Sequence, residues 1–330
     1  MADLPITRKL RALAGVRVER TAVQLLTFDT SITLLKFPQL NGKDDLLSNT
    51  DFLPSVNLNY AINEVSKLRL AYSRTLARPT FRELAPFASF AVDGGFVFVG
   101  NPDLTRTLID NVDLRWEAFS GTGEMVSVSA FYKHFTNPIE RAFNPKAQNT
   151  ELSLRNVDEA FLAGSEIELR KSLETFSPSL APFMLAANFA YIYSETTIDE
   201  AEMALILEDD PNASRKRAMY GQAPYSANAV LTYQNKGLQA NVAFNVTGAR
   251  IITVTKGATP NYYLQPQPSL NFNLSKEWES GLGLRFSAGN LLDSAYEEQA
   301  TYQGQHYTVA SYRTGRTFSV GVSFKIPPGS

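Results

Sequence analysis

Three observations on these 330 residues predict an all-β fold, an antiparallel transmembrane β-barrel of about twelve strands with its apolar side chains facing outward. Apolar and polar residues alternate with period two from one end of the chain to the other. Short and long connections also alternate, as they do in a barrel with short periplasmic turns and long extracellular loops. Finally, no apolar run approaches the roughly 18 residues that a membrane-spanning helix needs, which leaves strands as the only spanning elements.

The alternation justifies each strand in order. After an opening strand from about Leu10, "SVNLNYAI" sets Val56, Leu58, Tyr60 and Ile62 against Ser55, Asn57 and Asn59. "KLRLAYSR" sets Leu68, Leu70 and Tyr72 against Lys67, Arg69 and Ser73. "NVDLRWEA" and "MVSVSAFYK" follow, with Val112, Leu114 and Trp116, then Val126, Val128 and Tyr132, on the apolar side. The same grammar returns in "SEIELRK", "FMLAANFAYIY", "NAVLTYQNKGLQANVAFNV", hinged at 235–237, and "SLNFNLSKEWESGLGLRFSAGN", hinged near 277–280. The last strand, "RTFSVGVSFKI", places Phe318, Val320, Val322, Phe324 and Ile326 on one side and Ser319, Gly321, Ser323 and Lys325 on the other. No segment reads as a convincing helix.

Short turns are expected at 63–66, 120–124, 234–237 and 276–280, with a longer one at 172–182. Long connections are expected at 29–50, 77–106, 136–151, 195–224, 249–266 and 293–306. Tyr60, Tyr72, Trp116, Tyr132, Tyr233, Phe272 and Phe324 fall on the apolar parity, where they can form aromatic rings at the lipid interfaces. A soluble antiparallel sheet would show the same alternation. It would need a helix or second layer over its apolar face, and none is evident, whereas lipid covers that face without further protein.

Composition removes several function classes. With 31 basic and 33 acidic residues there is no basic excess for nucleic acid, and without cysteine there is no disulfide framework, thiolate metal site or cysteine nucleophile. The two histidines, His134 and His306, stand outside any motif, and no phosphate loop, nucleophile elbow or zinc spacing occurs. The reading is therefore not an enzyme, with no cofactor and no metal. The acidic run Glu208, Asp209 and Asp210 reads as a solvated loop rather than a cation site.

The segments "DFLPSVNLNYAI", "LRLAYSRTLARPTFRELAPF", "GNPDLTRTLIDNVDLRWE", "SVSAFYKHFTNPIER", "GQAPYSANAVLTYQN", "QPSLNFNLSK" and "GNLLDSAY…SYRTGRTFSVGVSFKI" resemble, in this order, the C-terminal barrel half of TonB-dependent receptors of the bacterial outer membrane. The resemblance implies a twenty-two-stranded barrel of which residues 1–326 form the C-terminal part, with a tail at 327–330. It implies an N-terminal plug domain, a TonB box and a signal peptide that these residues do not represent; "MADLPITRKLRAL" has no apolar signal core. The expected function is TonB-dependent active uptake of a scarce nutrient such as a siderophore, cobalamin or glycan. The implied partners are TonB, the plug, outer-membrane lipid, the barrel-assembly machinery and an unidentified nutrient. The alternative is a self-contained small barrel acting as a porin or a lipid-active hydrolase.

Candidate site residues follow from placement. The connection "ARPTFRELAPFASFAVDGGFVFVGNPDL" joins two strands on the loop side and interleaves Phe81, Phe87, Phe90, Phe96 and Phe98 with Arg78, Arg82 and Glu83, a composition suited to holding a ligand. Arg74, Arg115, Lys133 and Glu168 are expected in the lumen, facing the plug. By the resemblance, Phe318, Val320, Val322, Phe324 and Ile326 form the signal read by the assembly machinery.

Overall fold

Along the main sheet, neighbouring strands follow one another in chain order, with the strands of the intervening connections set in two smaller sheets. The computed structural model describes residues 1–24, 45–89, 96–120, 123–144, 151–209, 211–255, 259–302 and 304–325. Thirteen of the main sheet's fourteen strands make a continuous wall: β1 (Ala2–Pro5), β2 (Leu10–Gln24), β3 (Asp45–Ala61), β4 (Ser66–Ala77), β5 (Thr107–Phe119), β6 (Met125–Thr136), β7 (Glu159–Ser172), β8 (Phe183–Thr197), β9 (Tyr225–Asn235), β10 (Leu238–Thr247), β11 (Ser269–Glu277), β12 (Leu282–Gly289) and β13 (Thr317–Phe324), and the two-residue strand Lys216–Arg217 pairs with the end of β8 off this path. Twelve are the strands read from the alternation. The thirteenth, β1, is four residues ending in a proline, too short to show a period. The sheet is not closed; β1 and β13 are its edges.

Register holds parity across the wall. Leu70 lies opposite Leu58 and Leu114, Val128 opposite Trp116 and Ile167, Leu231 opposite Leu185 and Val242, and Phe286 opposite Leu274 and Val320. One face is therefore apolar over most of the strand length, and Val112, Leu114, Val128, Ile167, Phe189, Leu231 and Val242 are all exposed on it. A soluble monomer rarely shows an apolar patch above a few hundred Å², so this face suits hydrocarbon. The other face carries Arg115, Ser129, Glu166, Asn188, Asn228 and Asn273, with Asn228 Nδ2 donating to Asn188 Oδ1 at 2.7 Å.

Turn chemistry fixes the short connections. Lys236 (φ 45°) and Gly237 (φ 74°) form the two-residue turn between β9 and β10, and a Cβ on Gly237 would meet the Glu277 carbonyl oxygen at 2.4 Å. Between β5 and β6, Glu124 accepts from Lys171 Nζ at 2.8 Å, Ser120 Oγ at 2.9 Å and the Ser172 amide at 3.1 Å, which ties this turn to the end of β7.

The long connections fold into a second layer. Residues Ala88–Ser89, Val97–Val99, Glu151–Asn156 and Ile139–Asn144 form one small sheet; Arg250–Thr253, Tyr262–Leu264, Tyr296–Tyr302 and Gln305–Tyr312 form another. They are bridged by Phe143 N donating to Val254 O at 2.8 Å and Val254 N to Arg141 O at 3.0 Å. Two short helices, α1 (Phe81–Leu84) and α2 (Glu200–Asp209), correct the expectation of no helix. Off the wall the period-two rule no longer applies, and Thr80 with Glu83 supplies a capping box for α1. The acidic run of Glu208 and Asp209 ends α2, and Asp210 lies outside the described residues.

Among the described residues, the buried clusters lie in this loop layer or where it meets the wall: Leu46, Leu47, Leu84, Leu104 and Leu154 in one, Ala142, Ile251 and Val254 in the other. The cause is geometric, since the wall has one layer and no partner sheet.

Lys171 beside Glu124, with the Ser120 hydroxyl, holds the Glu124 carboxyl below the ordinary glutamate range. A lowered folded value contributes stability above the unfolded value and loses it as pH falls through the folded one. Denaturation midpoints of wild type and Glu124→Gln in detergent should therefore differ at neutral pH and converge as pH drops below the glutamate range; a constant gap would refute the linkage.

Candidate functional site

The connection after β4 leaves the wall through Arg78 and Pro79, and α1 starts at once. Thr80 N donates to Glu83 Oε2 at 2.7 Å while Glu83 N donates to Thr80 Oγ1 at 3.4 Å, and Leu84, 1% exposed, anchors the turn in the larger core. The returning "GNPDL" locks against it. Asn101 N donates to Glu83 O at 2.6 Å, Asn101 Nδ2 to Leu154 O at 2.9 Å, and a Cβ on Gly100 would stand 2.1 Å from the Ala85 carbonyl oxygen. Only glycine permits that approach.

These contacts frame a cavity of about 810 Å³ at the loop end of the polar face. Five of the expected ligand-facing residues line it: Arg78, Arg82, Glu83, Phe96 and Phe98. Phe81 and Phe87 do not; they are 79% and 58% exposed. Phe90 lies outside the described residues.

The charges around the cavity are unequal in what they have left to offer. Arg78 is spent on the wall, with Nε donating to Thr21 Oγ1 at 2.6 Å and Nη2 bound to Glu19. Glu83 is spent on the α1 cap. Arg82 lies over the Phe98 ring at 4.9 Å from its centroid and reaches Ser89 Oγ at 3.3 Å. Arg141, which the sequence reading did not single out, lines the cavity, and its side chain has no hydrogen-bond or ion-pair partner among the described residues; its Nε is fully buried. The cavity thus presents cationic and aromatic surface with a guanidinium to spare. Pairing of residues 139–144 with 151–156 holds the strand that carries Arg141, which is why alternation within one connection gave no signal for it.

Directly behind Arg141, Glu140 faces the other way. Its side chain is 3% exposed and takes Arg155 Nη2 at 2.7 Å and Arg217 Nη2 at 2.6 Å, and Arg155 is also bound to Glu202 of α2. Burial pulls the Arg155 guanidinium down, but the attraction of Glu140 and the Glu202 hydrogen bond outweigh it and hold the group above the usual arginine range. Four loop elements are pinned by this network.

The expected lumen residues divide. Arg115, Lys133 and Glu168 are on the polar face: Arg115 Nη2 meets Glu168 Oε2 at 2.8 Å, and Lys133 Nζ donates to Asn111 Oδ1 at 2.7 Å. Arg69 Nη2 comes within 2.6 Å of Glu117 Oε1, an ionic contact too poorly aligned to give that oxygen a hydrogen bond. Arg74 is on the opposite face. It shares parity with Leu70 and Tyr72, and its Nε and Nη2 grip Asp110 at 2.9 Å each while Tyr72 Oη donates to Asp110 at 2.7 Å. The alternation of β4 reaches Arg74 without a bulge, so parity overrides the preference of a charge for the lumen. His134 sits opposite Asp110 and 3.7 Å from Glu159, and His306 Nδ1 is 2.9 Å from Thr301 Oγ1. Phe318, Val320, Val322 and Phe324 are exposed along the β13 edge, and Ile326 lies outside the described residues.

Residues 1–291 match the family model "TonB dependent receptor-like, beta-barrel". The chain belongs to this family. Among solved structures this receptor-like barrel is similar to the copper transporter OprC (17% identity, TM-score 0.66, covering 98% of this chain and 46% of that one). It is also similar to the ferric enterobactin receptor PfeA of Pseudomonas aeruginosa (16%, 0.59, 97% and 43%) and the siderophore receptor PirA of the same organism (14%, 0.57, 98% and 47%). The chain spans a little under half the length of these structures, and the likeness is one of fold. No curated protein matches it.

Glu140→Gln should cost about 3–5 kcal/mol, because it leaves Arg217 and Arg155 buried beside a neutral amide. Chemical denaturation in detergent reads this; a loss within about 0.5 kcal/mol would show that the network contributes little.

Proposed function

We propose that the chain forms the C-terminal part of an outer-membrane receptor for TonB-dependent active uptake, and that its loop-end cavity receives an anionic nutrient carrying planar or aromatic groups. The observation that carries this reading is Arg141, an unpaired guanidinium beside Arg82, Phe96 and Phe98 in a cavity of about 810 Å³, within the size range of small-molecule sites. A bare copper ion is a poorer fit, since among the described residues Met219 is the one sulfur in the lining and no histidine joins it. An organic ferric chelate, with negative charge and flat donor groups, matches what the cavity offers.

The open edges support the barrel assignment. Unpaired backbone groups on β1 and β13 are costly in lipid, so strands outside this chain complete the ladder, and β13 serves the assembly machinery as its edge signal. Arg115, Lys133 and Glu168 face the plug, which supplies the link to TonB.

Binding of a ferric tris-catecholate, cobalamin and a neutral oligosaccharide to the detergent-solubilised chain, followed by quenching of its aromatic fluorescence, tests this reading. The ferric chelate is expected to bind, and Arg141→Ala to weaken it about tenfold, near 1.4 kcal/mol. Equal binding of the oligosaccharide, or no effect of Arg141→Ala, would sink the anion assignment. Steady conductance in planar bilayers would point to a passive pore.

A further inference from the structure

Two cross-strand rows locate the edge of the hydrocarbon on the apolar face. Tyr72, Val112, Tyr132, Ala163 and Tyr193 are register partners from β4 to β8. The next row toward the loops, about 7 Å further along the strands, is Arg74, Asp110, His134, Phe161 and Glu195. The tyrosines point that way: Tyr72 Oη donates to Asp110 and Tyr193 Oη to Glu195, each at 2.7 Å. Ring bodies in an apolar row and hydroxyls bonded to an ionic row are the geometry of a lipid interface, where an aromatic side chain is dry at one end and wet at the other. The ionic row therefore lies at headgroup level.

At this level the wall has a gap. The β8–β9 ladder ends at Tyr191 opposite Tyr225, and β8 is next paired in a ladder at Thr196 opposite Arg217, so 192–195 run beside 218–224 with Ile192 N to Pro224 O as the backbone bond between them. A cavity of about 460 Å³ occupies the gap, lined by Tyr191, Tyr193 and Lys216 on the parity of the apolar face, by Arg217 on the other, and by Arg250 and Tyr263 of the small sheet. Its charges are unbalanced. Lys216 is bound to Glu195 at 2.6 Å and Arg217 to Glu140 through Nη2, while Arg217 Nε and Nη1 are buried without a partner. The Arg250 side chain, on a strand paired with Tyr262–Leu264, has no hydrogen-bond or ion-pair partner among the described residues. Lys216, Arg217 and Arg250 thus line the cavity with one carboxylate, Glu195, while Glu140 holds Arg217 from outside the lining and Glu298 stands on the register row of Arg250; guanidinium donors remain unspent, an arrangement that suits phosphate oxygens.

We propose that this gap is a binding site for the phosphate of a lipid headgroup, with Arg250 and Lys216 as the contacting cations and the lipid chains lying down the apolar face over Phe189 and Leu231. The site is separate from the loop-end cavity and rests on the membrane-spanning reading of the wall. Native mass spectrometry of the full chain in detergent, supplied in turn with a phosphatidic acid, the diacylglycerol of the same chains and inorganic phosphate, tests it. Retained phosphatidic acid adducts are expected, with no retained diacylglycerol, and a drop of about tenfold in Arg250→Gln that Lys325→Gln, an exposed cation at the far turn, does not reproduce. Equal retention of the diacylglycerol, or an Arg250→Gln protein that binds as wild type does, would overturn the proposal. Displacement of the lipid by inorganic phosphate at equal concentration would overturn the lipid assignment in favour of a free anion. The spanning reading is checked apart from these outcomes: the chain has no cysteine, so spin labels at Ala130→Cys and Ser129→Cys report each face in phospholipid vesicles. Oxygen-accessible, nickel-protected label at Ala130 supports spanning, and water exposure at both sites refutes it.

Discussion

In hydrocarbon an unpaired backbone N–H or C=O costs several kcal/mol, so each wall strand has to find both of its partners in neighbouring strands. The cheapest neighbours are those next in sequence, joined by turns as short as Lys236–Gly237. Once the ladder is fixed in that way, side-chain direction is fixed too, because each residue shares its face with the residue opposite. Leu114 must then stand beside Leu70 and Ala130, and Arg115 beside Arg69 and Ser129, whatever their chemistry. The apolar and polar faces are consequences of the ladder, and the two open edges are where it stops.

The same constraint explains where the buried core is. The wall has no partner sheet along most of its length, so the connections have to bury their own leucines. Leu84 and Leu104, from the connection after β4, and Leu154, from the connection after β6, do this above the wall. Such a layer gains from crosslinks that the wall does not need, and buried ion pairs supply them. Glu140 binds Arg155 and Arg217 from separate segments, although burying charge is expensive and each pair stands only while all its members do.

Most of the wall could be read from the sequence because its rule is local. Val56, Leu58 and Tyr60 announce a strand without reference to anything else in the chain. Arg74 was misplaced for the opposite reason: its charge suggested the lumen, while parity counted from Tyr72 already put it outside, at the level where the apolar face gives way to Asp110 and Glu195. The helix at Phe81 was within reach, since T-F-R-E is a capping box, but the surrounding run of phenylalanines looked like loop. That run proved to be two populations, Phe96 and Phe98 turned into the cavity and Phe81 and Phe87 turned out of it. Arg141 was beyond the reach of sequence because the strand that carries it is held by residues 151–156 and bridged to Val254, and such partnerships leave no local mark.

That strand also shows how a ligand site can be held ready. Ile139 and Arg141 face the cavity, and between them Glu140 faces the ion-pair network. Alternation makes the two functions inseparable: a backbone fixed by Arg155 and Arg217 on one side presents Arg141 at a set position on the other. An unpaired guanidinium would ordinarily fold back onto a neighbouring carboxylate, and here the one adjacent in sequence, Glu140, is already occupied, as is Glu83 in the α1 cap. The ordering cost of placing Arg141 is met by the fold before any ligand arrives, so an anion entering the cavity meets a group that has little conformational freedom left to lose.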